Sequence, residues 1–452
     1  MDRQPHRAVE LSPRAPRGSR DIQDPDPYLP GHGDLAFEVE SYEIELDYRV
    51  SGNHLDARVQ IVAVANQALT LIRLDLQGLE VAKVRVNGSR PARYSLRGGK
   101  LRIRLASAAA AGDRLVIVIR YGGQPGPLPS IWGEVGWEEL SDGVIVAGQP
   151  GGAPSWFPCN DRPGSKATYR LSVTTDSAYA VLANGLLVGR RRGASRTTWT
   201  FEQSQPMATY LATVQIGRYE MRTIAGSPVP ERLFAPPELQ NAALGDFARQ
   251  SAMLVLFAEL FGPYPFDGYT VVVTGDDLEI PLEAQGLAVF GANHIDGMKG
   301  LERLVAHELA HQWFGNSLTL GLWSDIWLHE GFACYAEWLW SERSGGKPAD
   351  VLARRHHQRL AGAVQDLLLA DPGAAAMFDD RLYKRGALAL HAVRLTLGDD
   401  TFFTMLRAWV AEHRFCTVST EAFEEHVARY GDTGALLGRW LHGTPLPDLP
   451  PA

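Results

Sequence analysis

His307-Glu308-Leu309-Ala310-His311 decides how the second half of this chain is read. It lies in a helix-friendly stretch that begins near Leu301. Helical spacing of four puts both imidazoles on one face, about 6 Å apart at Cβ, where one cation can bridge them. Glu308 is one position along and can reach a water held by that cation without ligating the cation itself. Downstream, Trp323-Ser324-Asp325-Ile326-Trp327-Leu328-His329-Glu330-Gly331-Phe332-Ala333 sets a carboxylate, Glu330, separated from His311 by eighteen residues. It opens a second apolar helix over residues 332–339. Two imidazole nitrogens and one carboxylate leave a fourth position open on a zinc ion, as a hydrolytic site requires. Plainer explanations exist for each residue. A histidine pair on one helix face also suits ordinary packing, and an acidic residue at a helix N-terminus is favoured by the helix dipole.

Outward from this segment, the chain divides in two. Tyr42, Ile44, Leu46, Tyr48 and Val50 alternate with polar residues, as do Leu101, Ile103 and Leu105, the period of a half-buried strand. Val59, Ile61, Val84, Val86 and the stretches 115–121, 169–173 and 210–216 fit further strands. Asn87-Gly88 and Gly98-Gly99 supply turn signals. Ser227-Pro228-Val229-Pro230 and Pro236-Pro237 mark a boundary, helical spacing follows over 238–261, and the chain is mainly helical beyond residue 300. The expected fold is multidomain α+β: a tail over residues 1–34, an all-β domain over 35–222, and a mainly helical catalytic domain over 223–452. The tail is polar and proline-punctuated and is expected to be disordered. Arg3, Arg7, Arg14, Arg17 and Arg20 suit a transit peptide, but Asp2 and Glu10 interrupt the pattern.

Composition excludes several functions. The formal net charge is -8 and no long Lys/Arg run occurs, which argues against nucleic acid as a partner. No apolar run reaches the roughly 18 residues of a bilayer span. Cys159, Cys334 and Cys416 are odd in number and far apart, so a reducing, cytoplasmic setting is expected. Oligomeric state has no signal in the sequence.

The spacing of the histidine motif and the Trp-x-x-Asp-x-Trp-Leu-x-Glu-Gly-Phe-Ala string resemble the gluzincin aminopeptidases of the aminopeptidase N type, and the likeness runs from residue 35 to the end. It implies a thermolysin-like catalytic domain that binds one zinc ion per chain through His307, His311 and Glu330. The family's residue before the ligand is usually Asn; here it is His329, read as a wall of the site. Glu337 and Asp325 compete to orient a ligating imidazole. Tyr383-Lys384-Arg385-Gly386 resembles the family's Tyr-x-Lys-Gly, which makes Tyr383 the donor to the oxyanion, with Arg385 where Lys is usual. Ile280-Pro281-Leu282-Glu283-Ala284-Gln285-Gly286 occupies the place of the Gly-x-Met-Glu-Asn segment that holds a substrate's free amine. Only the glutamate survives, so Glu283 is the expected anchor, with Glu279 its rival. Gly286, Leu287 and Ala288 then begin an edge strand for peptide pairing. Gln149 and Phe157-Pro158-Cys159-Asn160-Asp161 also resemble the family, and by that resemblance Gln149 reaches the substrate amine. The family's C-terminal helical domain has no counterpart here, which implies an open cleft.

The expected activity is hydrolysis of the N-terminal peptide bond of peptides with a free amine, with Glu308 activating the zinc-bound water. Eroded amine-anchoring residues keep two alternatives alive: an endopeptidase or other zinc hydrolase, and a non-catalytic binding protein that retains the fold.

Overall fold

A computed structural model describes residues 25–451. Residues 1–24 of the expected tail lie outside the described residues, and residues 25–34 are not tail at all. Asp26 and Leu29 are only 2% and 9% exposed. Asp26 accepts a hydrogen bond from the Trp323 backbone N–H at 2.7 Å, and the Tyr28 hydroxyl accepts one from Gly373 N–H at 2.7 Å. His32 Nδ1 lies 2.8 Å from Asp161, and Gly33 N–H donates to Asp75 at 2.9 Å. Specific side-chain bonds order this segment, so no periodic pattern announces it.

The β-region follows the two-fold alternation. In the strand Phe37–Arg49, Tyr42, Ile44, Leu46 and Tyr48 are buried. This strand sits mid-sheet, antiparallel to His54–Ala65 and parallel to Lys166–Asp176, within a seven-stranded sheet. Five- and three-stranded sheets complete the region. Alternating burial on these strands is what lets sheets pack face to face.

Another five-stranded sheet begins the second region, in the order Glu220–Ile224, Glu231–Ala235, Tyr269–Val273, Leu287–Phe290, Leu282–Ala284. This order corrects the expected edge. Leu287–Phe290 is flanked on both sides, parallel to Tyr269–Val273 and antiparallel to Leu282–Ala284. The chain reverses at Gln285-Gly286, with Gly286 at φ +74°, so the strand carrying Glu283 becomes the edge. Gly286 is also committed: its N–H donates to Gln312 Oε1 at 2.8 Å and its carbonyl accepts from Thr270 N–H at 3.0 Å. Gly286, Leu287 and Ala288 therefore offer no free backbone for a peptide.

A two-stranded sheet, Thr319–Leu320 with Thr417–Val418, and helices form most of the rest: α1 (Gln240–Asp246), α2 (Gln250–Phe261), α3 (Glu302–Ala310), α4 (Trp327–Arg343), α5 (Ala349–Ala361), α6 (Asp380–Leu397), α7 (Asp399–Glu412), α8 (Thr420–Ala428) and α9 (Gly434–His442). Helix α4 starts five residues ahead of the expected 332. Every residue from Trp327 to Trp340 is buried, and a helix that is buried all round shows no amphipathic edge to mark its start.

Helices α4 and α6 touch backbone to backbone. A Cβ on Gly331 would lie 2.9 Å from Gly386 Cα, and one on Gly386 would lie 2.8 Å from Gly331 Cα. Two glycines thus bring the helix of Glu330 against the helix of Tyr383. Gly386→Ala is expected to cost about 1–3 kcal/mol in a denaturant titration, the scale of an overpacked core. Gly434→Ala, at a helical position where an added Cβ meets nothing within 4 Å, is the neutral control.

Candidate active site

Helix α3 presents His307 and His311 four residues apart, with ring centroids 4.8 Å apart. Across from them, α4 delivers Glu330, whose Oε2 lies 3.2 Å from His307 Nε2 and 3.6 Å from His311 Nε2. All three groups are buried, and their ligand atoms lie within 4.8 Å of one another. The outward ring nitrogens are both committed. His307 Nδ1–H donates to Glu337 Oε1 at 2.9 Å, and His311 Nδ1–H donates to the Phe314 carbonyl at 3.0 Å. These bonds hold both rings through Nδ1, so both Nε2 atoms face the centre and Glu330. Glu337 is thus the orienting carboxylate. Asp325 is occupied elsewhere, accepting from the Thr420 N–H and hydroxyl at the start of α8.

The electrostatics ask for a cation. Burial opposes ionisation of Glu330, yet the charge of His311 and bonds from both imidazoles hold its carboxyl well below the usual carboxylate range. Burial also opposes protonation of the imidazoles, but the surrounding carboxylates win and push His307 up to about 10 and His311 up to about 9. With both imidazoles deprotonated for ligation, as metal binding requires, Glu283, Glu308, Glu330 and Glu337 leave a negative surplus that a divalent ion offsets. Once deprotonated at Nε2, two imidazoles held through Nδ1 plus one carboxylate form a donor set that fits zinc.

Glu308 points a second function at the same centre. Its Oε2 is buried without a hydrogen-bond partner. Burial pushes its carboxyl up to about 7, while His307 and His311 pull the other way. Tyr383, on α6, stacks near His307 with centroids 6.1 Å apart and planes 18° apart. Its hydroxyl has no partner among the described residues. Burial first, then Glu330 and Glu283, push its pKa far upward, so it remains a donor.

Glu283 reaches in from the sheet edge, its carboxylate within 4.8 Å of the Glu308 and His311 donor atoms. Its rival Glu279 is exposed on the surface. Gln149 follows the strand Gly143–Ala147; its Nε2 is buried without a partner, but no hydrogen bond joins it to the cluster. His329 is a wall: its Nε2 accepts from Leu320 N–H at 2.9 Å, and burial drives it down to about 3. Cys159 is buried and its thiol pushed up by that burial, so it is no nucleophile.

Two nearby residues escaped the sequence pattern. Lys166 crosses from the β-region to donate to the Asn316 and Ser317 carbonyls at 3.2 and 2.8 Å. Gln312 adjoins ligand His311 and bonds the hairpin of Glu283. Only adjacency to the histidine motif flagged Gln312; nothing flagged Lys166. A second His/Glu group, Glu412, His413 and His426, is already filled by Arg429, which donates to Glu412 at 2.7 Å and packs against His426 Nδ1.

Known proteins share this architecture. The Peptidase M1 N-terminal domain matches residues 38–211, and the Peptidase family M1 domain matches residues 247–440. A solved M1 zinc metallopeptidase from Deinococcus radiodurans is 31% identical with a TM-score of 0.85, the match covering 95% of this chain and 100% of that one. A mutant of the same description, bound to a Tyr-Ser-Ala substrate, is 30% identical with a TM-score of 0.86 over the same shares of the two chains. Aminopeptidase M1-A of Oryza sativa subsp. japonica is 29% identical over 313 residues, 63% of this chain and 34% of that protein. Glutamyl aminopeptidase of Homo sapiens is 27% identical over 308 residues, 62% of this chain and 32% of that protein. The chain spans about a third of the length of these curated relatives. With both of its halves matched and a solved M1 zinc metallopeptidase covered along its whole length at 31% identity, the chain belongs to the M1 family of zinc metallopeptidases.

Proposed function

We propose that the chain is a zinc aminopeptidase that removes single residues from the N-termini of peptides, with the metal held by His307, His311 and Glu330. One observation carries the exopeptidase part: the Glu283 carboxylate stands within 4.8 Å of both Glu308 and His311. In a peptide, the α-amine nitrogen and the first carbonyl carbon are separated by one Cα, about 2.5 Å. An anion this close to the reaction centre suits a free ammonium whose own residue carries the scissile bond. Facing a neutral internal amide, the same half-buried carboxylate would lose water without gaining a counter-charge. That asymmetry favours an aminopeptidase over an endopeptidase.

When bound, zinc supplies a Lewis acid and a source of nucleophilic water at neutral pH. Glu308 takes the proton of the attacking water and returns it to the departing amine. Tyr383 donates its hydroxyl to the tetrahedral oxygen. Glu283 holds the ammonium, with Gln149 as a second contact through its amide oxygen. The substrate backbone extends along the free edge of the strand Leu282–Ala284. A non-catalytic role is disfavoured because ligands, base and hydroxyl donor are all retained together. No helix among the described residues is long and apolar enough to cross a membrane, and all three cysteines are unpaired. Those free thiols support a reducing, cytoplasmic location.

Three outcomes follow from these assignments. Glu308→Gln should lower kcat by about 10²–10⁴-fold, the worth of a general base, while elemental analysis still finds one zinc per chain; near-normal turnover would remove Glu308 from the mechanism. Acetylating the N-terminus of a good peptide substrate should stop its hydrolysis, and continued cleavage at an internal bond, read by mass spectrometry, would point to an endopeptidase. Glu337→Ala should weaken zinc binding about 10–100-fold in a competition with a chelator. Unchanged affinity would mean that the His307–Glu337 bond does not tune the metal.

A further inference from the structure

We infer that Gln312 is the positioning residue that sets the distance between the amine anchor Glu283 and the metal ligands, and so selects which peptide bond is cut. The inference rests on the aminopeptidase reading above. Gln312 directly follows ligand His311 and is wholly buried. Its Oε1 accepts from Gly286 N–H at 2.8 Å, and its Nε2 donates to the Ala284 carbonyl at 3.1 Å. The planar amide therefore spans residues 284 and 286 as a peptide unit would in one rung of a β-ladder. Its own N–H donates to the Leu309 carbonyl at 3.1 Å, and its own carbonyl accepts from Ser317 N–H at 3.2 Å, so it moves with the end of α3.

Other carboxamides close the same turn. Asn316 Nδ2 donates to the Ala284 carbonyl at 3.0 Å. From the β-region, Asn184 Nδ2 donates to the Gln285 carbonyl at 3.1 Å. The turn that follows Glu283 is thus clasped from both sides by neutral, directional groups, and none adds charge to a site already rich in carboxylates. The required precision follows from chain dimensions. Each further substrate residue spans about 3.3–3.6 Å, so an anchor displaced by one such step would present the second peptide bond. Because Glu283 is paired with Ala288, a one-residue slip of the strand would also turn its carboxylate to the other face.

The test uses a tripeptide and its N-acetyl form, with binding measured by calorimetry on the zinc-loaded Glu308→Gln protein. Adding Gln312→Met, of similar length but without the two hydrogen bonds, should cut the preference for the free amine about tenfold. Zinc content and binding of the acetylated peptide should stay within about twofold. In a Glu283→Gln background the same change should have no further effect on the preference, because the two residues act as one unit. On the otherwise unaltered enzyme, Gln312→Met should release dipeptides beside single residues from a hexapeptide. An unchanged preference in a folded protein, or equal weakening of both peptides, would overturn the inference. Should Gln312→Met fail to fold, Asn316→Ala removes one bond to the same carbonyl and should lower the preference about threefold; no change there is equally decisive against it. If the protein with Gln312 intact binds both peptides alike, the aminopeptidase reading is what fails.

Discussion

Crowded negative charge is the constraint around which this molecule is built. Glu283, Glu308, Glu330 and Glu337 converge on two imidazoles in a region largely withdrawn from water, where like charges repel strongly and each loses hydration. Such a cluster persists only if every group is held by something other than its own preference. Glu330 is held by the imidazoles, Glu337 by His307 and by Arg303 at 3.5 Å, and Glu283 by the strand that carries it. Within the cluster Glu308 keeps a buried oxygen with no hydrogen-bond partner. A free lone pair is what the proposed role as general base requires.

Holding the cluster calls for three elements at close range, and each is brought in by a different device. The spacing of α3 fixes the two imidazoles relative to each other. Contact between Gly331 and Gly386 draws α4 and α6 together, which sets Glu330 and Tyr383 both beside His307 without any side chain between the backbones. Glu283 arrives on a short edge strand that owes its place to the turn at Gln285-Gly286 and to amide side chains from both halves of the chain. The metal-ligand cluster therefore depends on helix geometry, whereas the placement of Glu283 depends on the hairpin.

That division also explains which parts were legible from sequence. His307, His311 and Glu308 could be read because helical spacing is local, and Glu330 and Tyr383 because their surrounding strings are distinctive. Alternating strands announced the β-region for the same local reason. The choice between Glu337 and Asp325 was not legible, since it depends on how α3 crosses α4. The sheet edge was assigned to the wrong strand because alternation identifies strands but not their neighbours. Residues 25–34 read as tail because their order comes from Trp323, Gly373, Asp75 and Asp161, all distant in sequence. Gln149 makes no hydrogen bond to the cluster, so its part rests on resemblance alone.

Departures from the family pattern fall into two physical kinds. Arg385 replaces the usual Lys next to Gly386, and its guanidinium bonds the carbonyls of Leu367, Trp440, Gly443, Thr444 and Pro445. Five fixed donors suit five carbonyls, where an ammonium offers three. The substitution thus serves the frame that ties the end of α9 to α6, one residue away from the glycine contact, and leaves the Tyr383 hydroxyl untouched. Ile280, in the place of the Gly, and Ala284, in the place of the Asn, are different, because they lie on the segment that carries Glu283. Ala284 has no side-chain amide to offer a substrate, and its carbonyl is already taken by Gln312 and Asn316. On the aminopeptidase reading proposed above, recognition at this edge falls on the Glu283 charge more than on a network of neutral contacts, and a single charge discriminates a free amine sharply while reading little of the residue that bears it.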